Sequence, residues 1–193
     1  MREEPRLTFR PLTASRWTDL EQLFGPRGAC AGCWCMFWKM SNQEFRALVY
    51  EGTKATQKAI VESGHVPGLL AYVGTEAVGW IAVEPRDEYP RLARSRVLKP
   101  VDEQAVWSIT CFFTRRDLRG QGVSVGLLRA AVEHVRRRKG KIVEGYPIEP
   151  KGGSLPAPFV YTGLASAFRA AGFKEVARRS ATRPIFRYVI EAQ

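Results

Sequence analysis

The chain has 193 residues, 45% hydrophobic and 25% charged, the proportions of an ordinary globular protein, and residues 1–193 read as a single domain. No apolar run approaches the roughly 20 residues of a membrane span, which sets a membrane partner aside. The formal net charge of +11 favours an anionic partner, whether a phosphorylated cofactor, an acidic substrate or a nucleic acid, without choosing among them.

The N-terminal MREEPRLTFRPL lacks the apolar core of a secretory signal and carries acidic residues that a transit peptide avoids, so a cytoplasmic location is the default expectation. Leu7 and Phe9 then alternate with polar neighbours as a first strand. Trp17, Leu20, Leu23 and Phe24 recur at helical spacing until Gly25-Pro26 stops them. Ser41 with Glu44 three residues on has the form of a capping box and opens a second helix carrying Phe45, Leu48 and Val49 on one face; Lys54 to Glu62 extends the helical region after Gly52. Gly68 to Val73 and Ala77 to Val83 flank Gly74-Thr75-Glu76 as an antiparallel hairpin. Residues 85–105 place Pro85, Pro90 and Pro100 beside Arg86, Arg91, Arg94, Arg96 and Lys99, a long connection that reads equally as a solvated basic loop or as a site.

Val106 to Thr114 is a strand rich in β-branched and aromatic residues, and Val123 to Lys139 is a helix whose apolar face carries Val125, Leu128, Val132 and Val135. Arg136, Arg137, Arg138 and Lys139 complement the negative end of its dipole, and Gly140 ends it. Ile142 to Tyr146 is a further strand. A Pro/Gly-rich loop runs on to Val160, Leu164 to Ala171 is helical, and Gly172-Phe173 caps that helix before two closing strands. The alternation of short apolar runs with helical periods points to an α/β or α+β fold.

Chemistry concentrates at Arg119-Gly120-Gln121-Gly122-Val123-Ser124, which follows a strand directly and opens a well-patterned helix. Glycines let the backbone approach a ligand closely, and free N–H groups at a helix N-terminus point at anions, so a pyrophosphate suits the place. No Gly-Lys-Ser/Thr follows, and the three-glycine spacing of a dinucleotide fingerprint is missing, which removes nucleotide hydrolysis and hydride transfer.

On these residues the chain resembles the GNAT superfamily of N-acyltransferases, whose acetyl-CoA motif runs Gln/Arg-x-x-Gly-x-Gly/Ala after the fourth strand; Arg119, Gly122 and Ser124 fill it here. The element order fits the same family, with a last helix ending in Ala171, Gly172 and Phe173. The resemblance implies a mixed, mostly antiparallel sheet of about six to seven strands flanked by helices, acetyl-CoA as acyl donor, no metal, and direct transfer of the acetyl group to an amine of a small molecule or peptide. It also implies that Arg119, Gly120, Gln121, Gly122, Val123 and Ser124 hold the cofactor with the backbone amides of Phe112 and Thr114.

Such a reaction needs positioning, carbonyl polarisation, a base for the acceptor ammonium and an acid for the leaving thiolate. The family's usual acid is a Tyr four residues before the closing Gly, where this chain has Phe168. Tyr161, placed at the start of the same helix, is the substitute candidate. Glu84, Glu144 and Glu149 are the carboxylates weighed as base, with Glu84 and Glu149 retained; His65 in a Gly/Pro turn and His134 on the exposed side of its helix are set aside.

Cys30, Cys33 and Cys35 crowd too closely for a disulfide framework, and Cys111 and the histidines are scattered, so neither a paired zinc set nor an oxidised scaffold is expected. Packing is the default for so apolar a segment. By resemblance it borders the acceptor pocket, which makes Cys33, Trp34, Cys35 and Trp38 candidate substrate contacts. Two other readings stay open: a non-catalytic acyl-CoA-binding module, and acetylation of an aminoacyl-tRNA or other nucleic-acid-linked amine. Nucleic acid ranks last because no RNA-binding motif is present. A homodimer is compatible with the sequence.

Overall fold

A computed structural model describes residues 6–152 and 159–191, and its β-rich runs assemble into a seven-stranded sheet. The strands are β1 Leu7–Pro11, β2 Gly68–Val73, β3 Glu76–Pro85, β4 Trp107–Thr114, β5 Ile142–Gly145, β6 Lys174–Arg178 and β7 Pro184–Val189, in the spatial order β1-β2-β3-β4-β5-β7-β6. The β4–β5 pair is parallel and the others antiparallel. The helices are α1 Trp17–Phe24, α2 Asn42–Leu48, α3 Glu51–Glu62, α4 Pro90–Arg94, α5 Val123–Arg137 and α6 Ala165–Ala170. This is the mixed, mostly antiparallel sheet flanked by helices that the sequence implies. The Pro/Gly-rich loop expected up to Val160 lies partly outside the described residues.

One face of the sheet is covered by α5, whose Val123, Leu127, Leu128, Ala131, Val132 and Val135 pack with Ile81, Val83 and Ile109. The other is covered by α1 and the segment after it, where Trp17, Leu20, Phe24 and Trp34 meet Leu70 and Trp80. Because β2 and β3 are sandwiched between these layers, they read as nearly continuous apolar runs instead of a clean alternation.

Four expectations change. The helical region breaks at Tyr50, not after Gly52: Tyr50 takes φ 79°, its N–H donates to the Gly32 carbonyl, and Thr53 Oγ1 bonds the same carbonyl. A long-range anchor thus overrides local propensity. Residues 85–105 are only in part a solvated basic loop: Pro90–Arg94 is helical, and Arg86 reaches inward to Glu144 Oε1 (3.0 Å), Tyr146 Oη (2.5 Å) and the Leu98 carbonyl (2.6 Å), while Arg94, Arg96 and Lys99 stay exposed. Helix α5 stops at Arg137, before Lys139 at φ 60°. His134 is buried against the Trp107 ring, not exposed, because it lies three residues after Ala131 and seven after Leu127 on the same helical face.

Candidate active site

The cleft begins where β4 and β5 part. Their pairing runs only through Trp107–Ile109 and Val143–Gly145; beyond it β4 continues alone, and a cavity of about 1020 Å³ opens beside it. Residues 111–114 of β4, the turn and first residues of α5, part of the 28–37 segment and the chain entering α6 line it. This volume is at the upper end for small-ligand pockets.

At one wall stands the N-terminus of α5. Gly120 and Gly122 sit at φ 77° and 79°, and neither has a heavy atom within 4 Å of where a Cβ would stand. Both use a conformation that other residues adopt only under strain, and both leave open room for a ligand. Among the described residues, the N–H groups of Gly120, Gly122, Val123, Ser124 and Val125 have no backbone acceptor. They are the orphan donors of a helix start, on the positive end of its dipole. Of the six motif residues all but Gln121 line the cleft; the Gln121 amide donates to the Asp117 carbonyl at 2.8 Å and braces the turn instead. Arg119 Nε likewise holds the Thr114 carbonyl at 3.2 Å, tying turn to strand. The open cradle and unspent donors fit the pyrophosphate of coenzyme A.

Along the strand, Phe112 and Thr114 both line the cleft, but their amides differ. The Phe112 N–H donates to the Tyr161 carbonyl at 2.6 Å, so the chain itself takes the donor expected for the pantetheine or thioester. Thr114 is opposite Gly79, and the bond from the Arg115 N–H to the Val78 carbonyl marks that pair as the non-hydrogen-bonded kind. Its own N–H therefore faces the parted edge.

The remaining wall is thiol-rich and aromatic. Cys30, Cys33, Cys35, Phe37, Phe45 and Cys111 line it. Cys33 and Cys35 are expected here from the sequence, whereas Cys30, Phe45 and Cys111 are not; Cys111 is not scattered, since its Sγ lies 3.0 Å from that of Cys35. Trp34 and Trp38 are not in the lining: Trp34 is buried and stacked on Trp17 at 5.8 Å, and Trp38 packs with the Tyr89 cluster. The wall is strained, with Ala29, Ala31, Trp34 and Cys35 all at positive φ (63°, 46°, 44°, 61°), a conformation costing on the order of 1–3 kcal/mol at each such residue. Burial pushes the Cys33 thiol up to about 11.

Tyr161 lines the cleft, although it belongs to the loop before α6 and not to that helix. Burial raises its phenol to about 12, so it keeps its proton through the neutral range. Phe168 is wholly buried among Phe112, Phe173 and Phe186. None of the three carboxylates reaches the cleft. Glu84 is buried between Lys39 Nζ (2.8 Å), His65 Nε2 (2.6 Å) and Tyr89 Oη (2.9 Å). Glu144 is buried between Arg86 and Arg187, and Glu149 pairs with Arg169 and Arg178 at the surface. Each carboxylate is held by cations, which accounts for its position without chemistry. His65, Glu84 and Glu88 bring ligand atoms within 4.8 Å, but the Lys39 ammonium sits against both carboxylates (2.8 and 3.8 Å), where a cation would have to lie.

A family model described as Acetyltransferase (GNAT) family matches residues 34–145. No curated protein sequence matches the chain. Among solved structures, an acetyltransferase of the GNAT family from Listeria monocytogenes is similar with TM-score 0.57 and 9% identity, covering 95% of each chain. The PaiA N-acetyltransferase of Thermoplasma acidophilum, in complex with coenzyme A, is similar with TM-score 0.53 and 12% identity over 96% of this chain and 99% of that one. YncA from Salmonella typhimurium, with its cofactor acetyl-CoA, gives TM-score 0.54 and 10% identity over 97% and 95%. At these identities the likeness is one of fold. Among the described residues no helix is long and apolar enough to cross a membrane.

Proposed function

The chain belongs to the GNAT acetyltransferase family, and from that membership we propose that it transfers the acetyl group of acetyl-CoA directly to an amine of a small molecule or peptide. The observation that carries this reading is the row of unspent amides at the start of α5, opening onto the parted edge of β4. Gly120, Gly122, Val123 and Ser124 receive the pyrophosphate, with Arg119 fixing the turn to Thr114. The Thr114 N–H is the donor left for the pantetheine arm. When bound, acetyl-CoA supplies the thioester carbonyl that the amine attacks.

The acceptor enters along the wall of Cys33, Phe37 and Phe45, whose apolar faces suit an acceptor with a hydrophobic body. Tyr161, which lines the cleft and is protonated at neutral pH, gives a proton to the departing thiolate in this reading. With Glu84 and Glu149 saturated by cations outside the cleft, the acceptor loses its proton to solvent or arrives neutral. The test is release of free coenzyme A from acetyl-CoA across a panel of small amines and peptide N-termini. Amine-dependent release that falls about tenfold or more in Tyr161→Phe supports transfer with Tyr161 as acid. The phenyl ring of Phe168 favours one other reading, an acyl-CoA-binding module, for which acetyl-CoA binds and no amine elicits release.

A further inference from the structure

Each of the chain's four cysteines lines the same cleft, and two of them meet. Cys35 and Cys111 are 76 residues apart in sequence, yet their Sγ atoms lie 3.0 Å from each other. Closing by about 1 Å reaches the disulfide bond length of about 2.05 Å. Cys35 is delivered there by two successive left-handed residues, Trp34 and Cys35 itself, and its Sγ also accepts the indole N–H of Trp80 at 3.1 Å. Cys111 comes from β4, opposite Ala82, one residue before the Phe112 amide. No three sulfur atoms gather within 4.8 Å among the described residues, so the arrangement is a dithiol and not a metal cage.

We propose that Cys35 and Cys111 are a peroxide-oxidisable pair that closes into a reversible disulfide, tying the strained 28–37 wall to β4. This goes beyond acetyl transfer and does not depend on it. The Cys35 thiolate attacks one oxygen of the hydroperoxide, the O–O bond breaks, and Cys35 is left as the sulfenic acid while the other oxygen departs as hydroxide. The Cys111 sulfur then attacks the Cys35 sulfur and displaces the sulfenic oxygen, which takes the Cys111 proton and leaves as water, while the proton that Cys35 gave up on ionising neutralises the hydroxide of the first step. Two thiols lose two electrons and hydrogen peroxide becomes two waters. Cys111 is the resolving partner because its hydrogen bond with Cys35, and then burial, push its thiol well up, while the Cys35 sulfur accepts the indole N–H of Trp80.

The folded protein is treated with hydrogen peroxide, its remaining free thiols are alkylated after denaturation, and the peptides are mapped by mass. The expected product is one cross-linked peptide pair joining Cys35 to Cys111, lighter by two hydrogens and abolished by dithiothreitol, with Cys30 and Cys33 alkylated. In Cys111→Ser, dimedone traps a sulfenic acid on Cys35. Alkylation of both Cys35 and Cys111 after oxidation, or cross-links running through Cys30 or Cys33 instead, overturns the proposal. The wild-type map decides the matter even where the serine variant does not fold.

Discussion

Gly122 shows how a single backbone choice reaches function. At φ 79° with open space where a Cβ would be, it starts α5 and leaves the first-turn amides free. Gly122→Glu adds strain and puts a carboxylate into an anion cradle; acetyl-CoA affinity measured by calorimetry is expected to fall at least about 100-fold, roughly 3 kcal/mol, with the far-ultraviolet circular dichroism unchanged. This residue was legible because glycine spacing in front of an amphipathic helix has few other uses. His134 was not, because its polarity suggested an exposed face while its spacing from Leu127 and Ala131 buries it. Burial, with the charges of Arg138 and Arg137 adding to it, lowers its pKa to about 4. A lowered folded-state value means that the unfolded chain binds more protons between about pH 6.5 and pH 4, so stability falls as pH drops through that window, by about 3 kcal/mol at most. Denaturant titrations of His134→Gln at pH 7 and pH 4.5 are expected to show a smaller difference between the two pH values than wild type shows.

At the scale of elements, the parting of β4 from β5 makes the cleft, and what keeps β5 in place is a buried polar knot. Glu144 on β5 receives Arg86 at 3.0 Å, Arg187 at 2.7 Å and the Tyr146 hydroxyl at 2.7 Å, while Arg187 reaches on to Asp102. The knot fastens the 86–105 connection and β7 to the strand that parts. Removing its centre leaves the buried Arg187 and the half-buried Arg86 guanidinium short of a partner, so Glu144→Ala is expected to destabilise by about 3–5 kcal/mol in chemical denaturation, far above the cost of a surface change. A smaller loss, under about 1 kcal/mol, contradicts the structural role. Strands and most helices were legible from periodicity, down to the hairpin around Gly74 and the capping box at Ser41, where both reciprocal bonds form; the short helix Pro90–Arg94 was not. The knot was not, because it joins residues 86, 102, 144 and 187, and nothing local in a basic, proline-rich stretch says which of its arginines turns inward.

For the whole molecule, the order of elements and the turn before α5 were enough to name the family and its acyl donor, since both are properties of contiguous chain. The thiol-rich wall of the cleft depends on a segment that folds back across the sheet, where Cys35 meets Cys111 and Tyr50 meets Gly32; contacts so distant in sequence leave no periodic trace. The same reason separates the two halves of the site: Tyr161 comes to the cleft from a loop, and Glu84, Glu144 and Glu149 are taken up by cations that only the folded chain brings near. A ligand that binds only the folded state stabilises it by mass action, about 2.7 kcal/mol at 100 times Kd, which for a chain of this size is a thermal shift of roughly 5–10 °C. The most direct test is therefore the thermal midpoint of wild type and Gly122→Glu with and without millimolar acetyl-CoA. The wild-type midpoint is expected to rise by several degrees and the variant's not at all; an unmoved wild-type midpoint, or an equal rise in both, contradicts a coenzyme A site at the start of α5.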